Sequence, residues 1–178
     1  MHLSAGKQRT NEMRDELSIG QKIVHPRYGA GTVTHVRAGR IHEAPGRYYV
    51  IDIPSMALTV HLPADRLQEV QVRDLASKEK IRRALGVLGS QGADLPRDAR
   101  ERCNALAESM ADGAVASLAT VIRDLHSLQR TKALSLRESS LLTQAKRQLA
   151  GEVALVTGAE VAEALRKIES ALHEAPAT

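Results

Sequence analysis

The sequence predicts an α+β protein, a small SH3- or Tudor-like β-barrel followed by an all-α helical bundle. Three observations predict it. Apolar residues recur with period two between about residues 20 and 72, and with a helical period after about residue 75. The breaks in the first half are short and marked by Pro and Gly. The chain is 43% hydrophobic but has no Trp, no Phe and only Tyr28, Tyr48 and Tyr49, so its core must be aliphatic.

Residues 1–18 are polar and without steady periodicity, which predicts a mobile tail and not a secretory signal. "QKIVHP" reads as a first strand and "AGTVTHVRAG" as the second, with Thr32, Thr34 and Val36 on one face and Val33 and His35 on the other. Pro26 fixes φ and ends the first strand, and Gly29 and Gly31 permit the bend that follows. Tyr28 in that bend either packs over one end of the barrel or joins Arg27 on a partner-facing surface. "RIHEAPGR" is a turn, "RYYVIDI" and "ALTVHLP" are strands, and "RLQEVQV" could close the set.

From "KEKIRRALGVL" the pattern turns helical, with Ile81, Ala84, Leu85 and Leu88 on one face. Gly89, Gly92 and Pro96 break that helix. A second runs over 97–111, and a third carries Leu118, Val121, Ile122 and Leu125 on one face. A fourth begins at Ser135, whose hydroxyl and Glu138 form a capping box. A last amphipathic helix follows Gly158. The domain reading is a tail at 1–18, a β-module at 19–75 and a helical domain at 76–178.

No stretch approaches the ~20 apolar residues that span a bilayer. The single Cys103 forms no internal disulfide, which points to a reducing cytoplasm. The seven His residues are scattered without metal-ligand spacing. "GAG" at residues 29–31 leads into a strand and offers no phosphate a helix N-terminus. His25 or His61 as a general base lacks an oriented partner. The sequence therefore predicts no enzyme, no cofactor and no metal. A net charge of +4 permits phosphate contact without demanding it. Arg97, Arg100, Arg102, Arg123, Arg130, Lys132, Arg137, Lys146 and Arg147 could share a phosphate-gripping face. On charge alone the plainer reading comes first, solvated helix surface, since they are interleaved with Asp98, Glu101, Asp112, Asp124 and Glu138.

The order and spacing of "IGQKIVHPRYGAGTV", "YYVIDI", "ALTVHLPAD", "VIRDL", "LSLRESSLL" and "AKRQLAGEVAL" resemble the CarD/CdnL family of bacterial transcription regulators over residues 19–173. The resemblance implies a Tudor-like module docked on the RNA polymerase β subunit. It also implies a helical domain touching promoter DNA at the upstream edge of the bubble, the two together stabilising the open complex. Carried onto this sequence, the polymerase contact falls on Leu58, Val60 and His61 of "ALTVHLP", with Arg40 and Arg47 flanking the preceding turn. Small β-modules bind in this way by offering an exposed edge strand.

Two departures stand out. His61 replaces an Arg common in relatives, removing a permanent charge and a bidentate fork. Ala99 stands where the family places a Trp that wedges into distorted duplex, and Ala has no area for that role. The DNA-facing surface is carried over to Arg97, Ala99, Arg100, Arg102, Arg123, Arg130, Lys132 and Arg137, without the wedge. A polymerase-associated interaction module without DNA contact is the alternative. The protein is expected to be a cytoplasmic monomer.

Overall fold

The computed structural model describes residues 16–41 and 44–173. Four antiparallel strands, β1 (Lys22–His25), β2 (Gly29–Ile41), β3 (Ala44–Ile53) and β4 (Leu58–Pro63), form one sheet in the order β1-β2-β3-β4. Six helices follow: α1 (Leu67–Val70), α2 (Lys78–Leu88), α3 (Ala99–Ser109), α4 (Val115–Thr131), α5 (Leu136–Thr157) and α6 (Val161–His173). The class is α+β, and the sheet does not close into a barrel. "RLQEVQV" is not a fifth strand. It forms part of a 3-10 turn at Ala64–Arg66 and then α1, because Leu67 and Val70, one helical turn apart, both pack on the sheet core. Only Arg73 beyond it pairs with the sheet, through a single bridge to Val24.

The β core consists of Leu17, Ile23, Val33, Tyr49, Ile51, Ile53, Leu62 and Leu67. Leu17, assigned to the tail from sequence, is buried there, and its N–H donates to the Tyr49 hydroxyl at 3.2 Å. Strict alternation along β2 also fails. A register shift between Val33 and His35 puts Val33 and Val36 on the core side and leaves His35 exposed. An extra residue in one strand does this, and Thr34 ties the bulge down by donating its hydroxyl to Val50 O at 3.2 Å. The hairpin is longer than expected: Arg40 pairs with Pro45 and Ile41 with Ala44, so strand pairing runs into the expected turn. His42 and Glu43 lie outside the described residues.

The helical core matches the periodicity read from sequence. Ile81, Ala84 and Leu88 of α2, Leu118, Val121, Ile122 and Leu125 of α4, and Leu142, Ala145, Leu149 and Val153 of α5 are buried together. Ser135 caps α5 in a complete capping box with Glu138, and Gly158 ends it in the left-handed region at φ 75°. None of the helices is long and apolar enough to cross a membrane, among the described residues.

α5 packs against the sheet as well as against α4 and α6. The His25–Gly29 bend docks on it. Gln148 donates Nε2 to Arg27 O at 2.6 Å. Gly29 sits at φ +91°, where a Cβ would lie 3.2 Å from Gln148 Cγ. Tyr28 is half-buried and packs on the β core, with its ring 4.6 Å from that of His25 and the exposed Arg27 guanidinium 5.5 Å from its centroid. Closest of all is Gly151, where a Cβ would fall 2.5 Å from Ser55 Oγ and 2.9 Å from Ser55 Cβ. Gly151→Val is therefore expected to destabilise by about 1–3 kcal/mol, as overpacking does. Gly46→Ala, where a Cβ meets open space, is expected to fall within about 0.5 kcal/mol of the parent. Urea denaturation of the full chain measures both.

Candidate functional site

Two surfaces carry the residues singled out from sequence. The first is β4. One side of it pairs with β3 from Tyr48↔Pro63 to Ile53↔Leu58. Its other edge faces no strand among the described residues. Leu58 and Val60 are half-buried against the β core, so what they offer outward is backbone and not side chain. Thr59 and His61 alternate with them and are exposed. The His61 ring stacks on Tyr48, centroid to centroid 5.4 Å at 25°. Arg47 is exposed but engaged, with Nη2 2.5 Å from Glu16 Oε1. That hydrogen-bonded pairing raises its pKa. Arg40 belongs to β2, and its side chain lies outside the described residues.

The second surface is the end of the bundle where α3 and α5 begin. Arg97, Ala99 and Arg100 are exposed there. Arg102 is not, which corrects its assignment to a DNA-facing surface. It shares the inner face of α3 with Cys103 and Leu106 and is only 2% exposed. Its Nη2 lies 2.5 Å from Glu138 Oε1, and its Nη1 donates to Pro96 O at 2.5 Å and Arg97 O at 3.0 Å. A count of cations along the chain cannot separate this residue from its exposed neighbours. The only hint is position: 102, 103 and 106 lie on one helical face.

Arg123 is half-buried and already engaged. Its Nη2 is 2.7 Å from Asp124 Oδ1, and its Nη1 donates to Ser90 Oγ at 3.3 Å. Asp124 also accepts Ala93 N–H at 2.9 Å, so this pair pins the α2–α3 loop. Arg130 and Lys132 are exposed at the end of α4, and Arg137 is exposed with Nη2 donating to Asn104 Oδ1 at 3.0 Å. The Arg102–Glu138 pair ties the start of α3, which carries the exposed Arg97 and Arg100, to the start of α5, which carries the exposed Arg137, with Lys132 in the short link before α5. Asp98 and Glu101 lie among these cations, Asp98 as the cap of α3.

The sequence reading missed Leu136. It is 92% exposed at the first position of α5, beside this cationic end. The signal was available: 138, 142, 145 and 149 form the buried stripe, and 136 lies off it. From Leu136 an open groove of about 470 Å³ runs along α5, lined by Ser139, Ser140, Thr143, Gln144 and Arg147, to Met56 at the 3-10 turn before β4. It joins the two surfaces. α5 has two carboxylates, Glu138 and Glu152, and both are buried, so no acid of its own faces this groove. Among the described residues no three His, Cys, Asp or Glu side chains gather at metal-binding distance.

Two groups report on the integrity of this arrangement. Burial, reinforced by the Arg27 cation, pushes the His25 imidazole below its ordinary value of 6.5. Burial by itself would raise the Glu138 carboxyl, but the Ser135 N–H and hydroxyl and then Arg102 outweigh it and hold Glu138 below its ordinary 4.5. In both cases the unfolded chain binds its proton first as pH falls. The associated stability is complete above the ordinary value and is lost below it, from about 6.5 for His25 and about 4.5 for Glu138. Urea midpoints measured from neutral to acid pH are expected to fall in two stages, and His25→Asn is expected to shrink the first without abolishing it, because burial, reinforced by Lys146, also holds the His126 imidazole below 6.5. Arg102→Ala is expected to destabilise by about 3–5 kcal/mol, because it strands a buried carboxylate. Arg100→Ala, being exposed, is expected to cost less than about 0.5 kcal/mol.

Two family models and a curated relative match this chain. Residues 17–75 match the CarD-like/TRCF RID domain, and residues 83–169 match the CarD C-terminal domain. A Bacillus subtilis (strain 168) protein named "Putative transcription factor YdeB" is 24% identical over 140 residues, covering 79% of this chain and 92% of that relative. Two domain models in the same order as the sheet and the bundle, with a relative matched along nearly its whole length, mark this chain as a member of the CarD/CdnL family of transcription regulators.

Proposed function

We propose that the protein binds the RNA polymerase β subunit through the free edge of β4 and touches duplex promoter DNA, at the upstream edge of the bubble, with the α3–α5 end. Acting together, the two contacts stabilise the open complex. The observation that supports the DNA contact is Leu136, exposed at the start of α5 directly before the exposed Arg137, with Arg97 and Arg100 exposed at the start of α3, the helix that the Arg102–Glu138 pair ties to α5. Cations around an apolar side chain suit a duplex already distorted at a bubble edge, where apolar groups insert between unstacked bases. Ala99 cannot do this. Leu136, held by the capping box at a fixed angle, supplies apolar area at the same end, though less than an aromatic would. The protein-side contact rests on β4, whose unpaired N–H and C=O groups are the chemistry of strand addition. His61 stacked on Tyr48 adds a flat, weakly polar contact in place of an Arg fork.

A second reading keeps the polymerase contact and gives the helical end to another protein. Asp98 and Glu101, exposed among the cations, favour it. Anisotropy with a forked promoter duplex in the presence of polymerase separates the two. The charge reversal Arg97→Glu/Arg100→Glu is expected to weaken duplex binding at least tenfold and to lower the salt slope by about one for each phosphate no longer neutralised. Leu136→Ser is expected to weaken binding to the forked duplex and spare a fully paired one. His61→Glu is expected to reduce retention on immobilised polymerase while leaving the fold unchanged. Duplex binding indifferent to the arginine reversal favours the second reading, and absence of any polymerase retention by the folded parent removes both.

A further inference from the structure

Arg73 stands where the sheet ends and the helices begin. Its backbone pairs in both directions with Val24 of β1, Val24 N–H donating to Arg73 O at 2.8 Å and Arg73 N–H to Val24 O at 3.1 Å. Its guanidinium forks onto Glu152 of α5, Nη1 to Oε1 at 2.7 Å and Nη2 to Oε2 at 2.7 Å. Nη2 also donates to Gly113 O at 2.6 Å, in the link between α3 and α4. Glu152 is 1% exposed, and its Oε1 accepts Ala76 N–H at 2.7 Å, at the entry to α2. One ion pair thus joins β1, the α3–α4 link, the approach to α2 and the C-terminal half of α5.

Stability alone is a poor reason for this pair. Buried ion pairs lose so much hydration that apolar side chains of similar volume often serve as well or better. This one is not even fully satisfied, since the buried Arg73 Nε has no hydrogen-bond partner. What an apolar pair cannot do is set an angle. Apolar surfaces slide, whereas a bidentate fork holds two groups coplanar. The neighbouring contacts are of the same orienting kind: Gln148 to Arg27 O, and Lys22 Nζ to Leu155 O at 3.1 Å.

We propose that Arg73 and Glu152 are positioning residues that lock the sheet to α5 at one angle, so that the partner-binding edge of β4 and the cationic end at Leu136 are presented at a fixed separation. The consequence rests on the function proposed above. With polymerase bound at one surface, the other meets DNA at an effective concentration set by this geometry, and a loosened joint spreads that concentration over unproductive orientations.

The decisive variant is the apolar replacement Arg73→Met/Glu152→Leu in the full chain, which removes the fork without stranding a charge. Spin labels at the exposed Thr59 and Arg130 report the separation of the two halves, and Cys103, being buried, is a poor competitor for label. The double variant is expected to stay folded with a modestly lower urea midpoint, since Ala76 N–H and Gly113 O lose their partners, and to bind polymerase within about twofold of the parent. It is expected to broaden the label-to-label distance distribution and to lose at least tenfold of the polymerase-dependent affinity for a forked duplex. Duplex affinity without polymerase is expected to stay unchanged. A distribution as narrow as the parent's, or undiminished polymerase-dependent affinity, overturns the proposal. If the parent itself ignores polymerase, the function proposed above fails, and the width of the distribution still decides whether the fork is a lock.

Discussion

α5 carries two acidic residues, and each lies buried beneath an arginine from elsewhere in the chain. Near its start Glu138 meets Arg102 of α3, and about three-quarters of the way along Glu152 meets Arg73 at the end of the sheet. These two attachments tie α3 and the end of the sheet to one helix. The first carries the N-terminal turn of α3 up to that of α5. The second fixes α5 against β1 and β2. Because both pins lie on one continuous helix, the orientation of the sheet and the orientation of the cationic end are set by the same rigid rod.

The pins work only because the surrounding packing is tight. Gly151 lets α5 approach Ser55 more closely than any side chain would allow, and Gly29 does the same for Gln148. The aliphatic stripe of Leu142, Ala145, Leu149 and Val153 buries the opposite side of α5 in the bundle. Apolar burial supplies the free energy. The two ion pairs and the Gln148 contact select one arrangement out of the many that an aliphatic interface of Leu, Val and Ala would tolerate.

This division of labour also shapes the outer surface. Placing both α5 carboxylates inside leaves a groove of hydroxyls, an amide and Arg147 between the β4 side of the sheet and Leu136. Such a surface repels no phosphate and holds no strong charge field. Under the proposed function it suits an auxiliary contact, effective when another interaction has already brought the duplex close. The absence of Trp and Phe points the same way. A protein with only three tyrosines, one of them fully buried in the sheet core, has little aromatic area with which to hold DNA alone.

The sequence by itself determined what depends on neighbours along the chain. Helical spacing of aliphatic residues located α2 through α6, Ser135 with Glu138 marked the start of α5, and Pro26 with Gly29 marked the first bend. These are local effects, and local pattern carries them. Tertiary structure decided the rest. Arg102 and Arg123 read as surface cations beside Arg97 and Arg100, since a charge in a sequence carries no record of the carboxylate that will cover it. Thr34 broke the alternation of β2 because a bulge is stabilised by the partner strand, here through Val50 O. "RLQEVQV" coiled instead of pairing because Leu67 and Val70 reach the sheet core together only from a helical turn. The Arg73–Glu152 fork joins residues that are distant in the chain, and only the folded path of the backbone brings them within hydrogen-bonding distance.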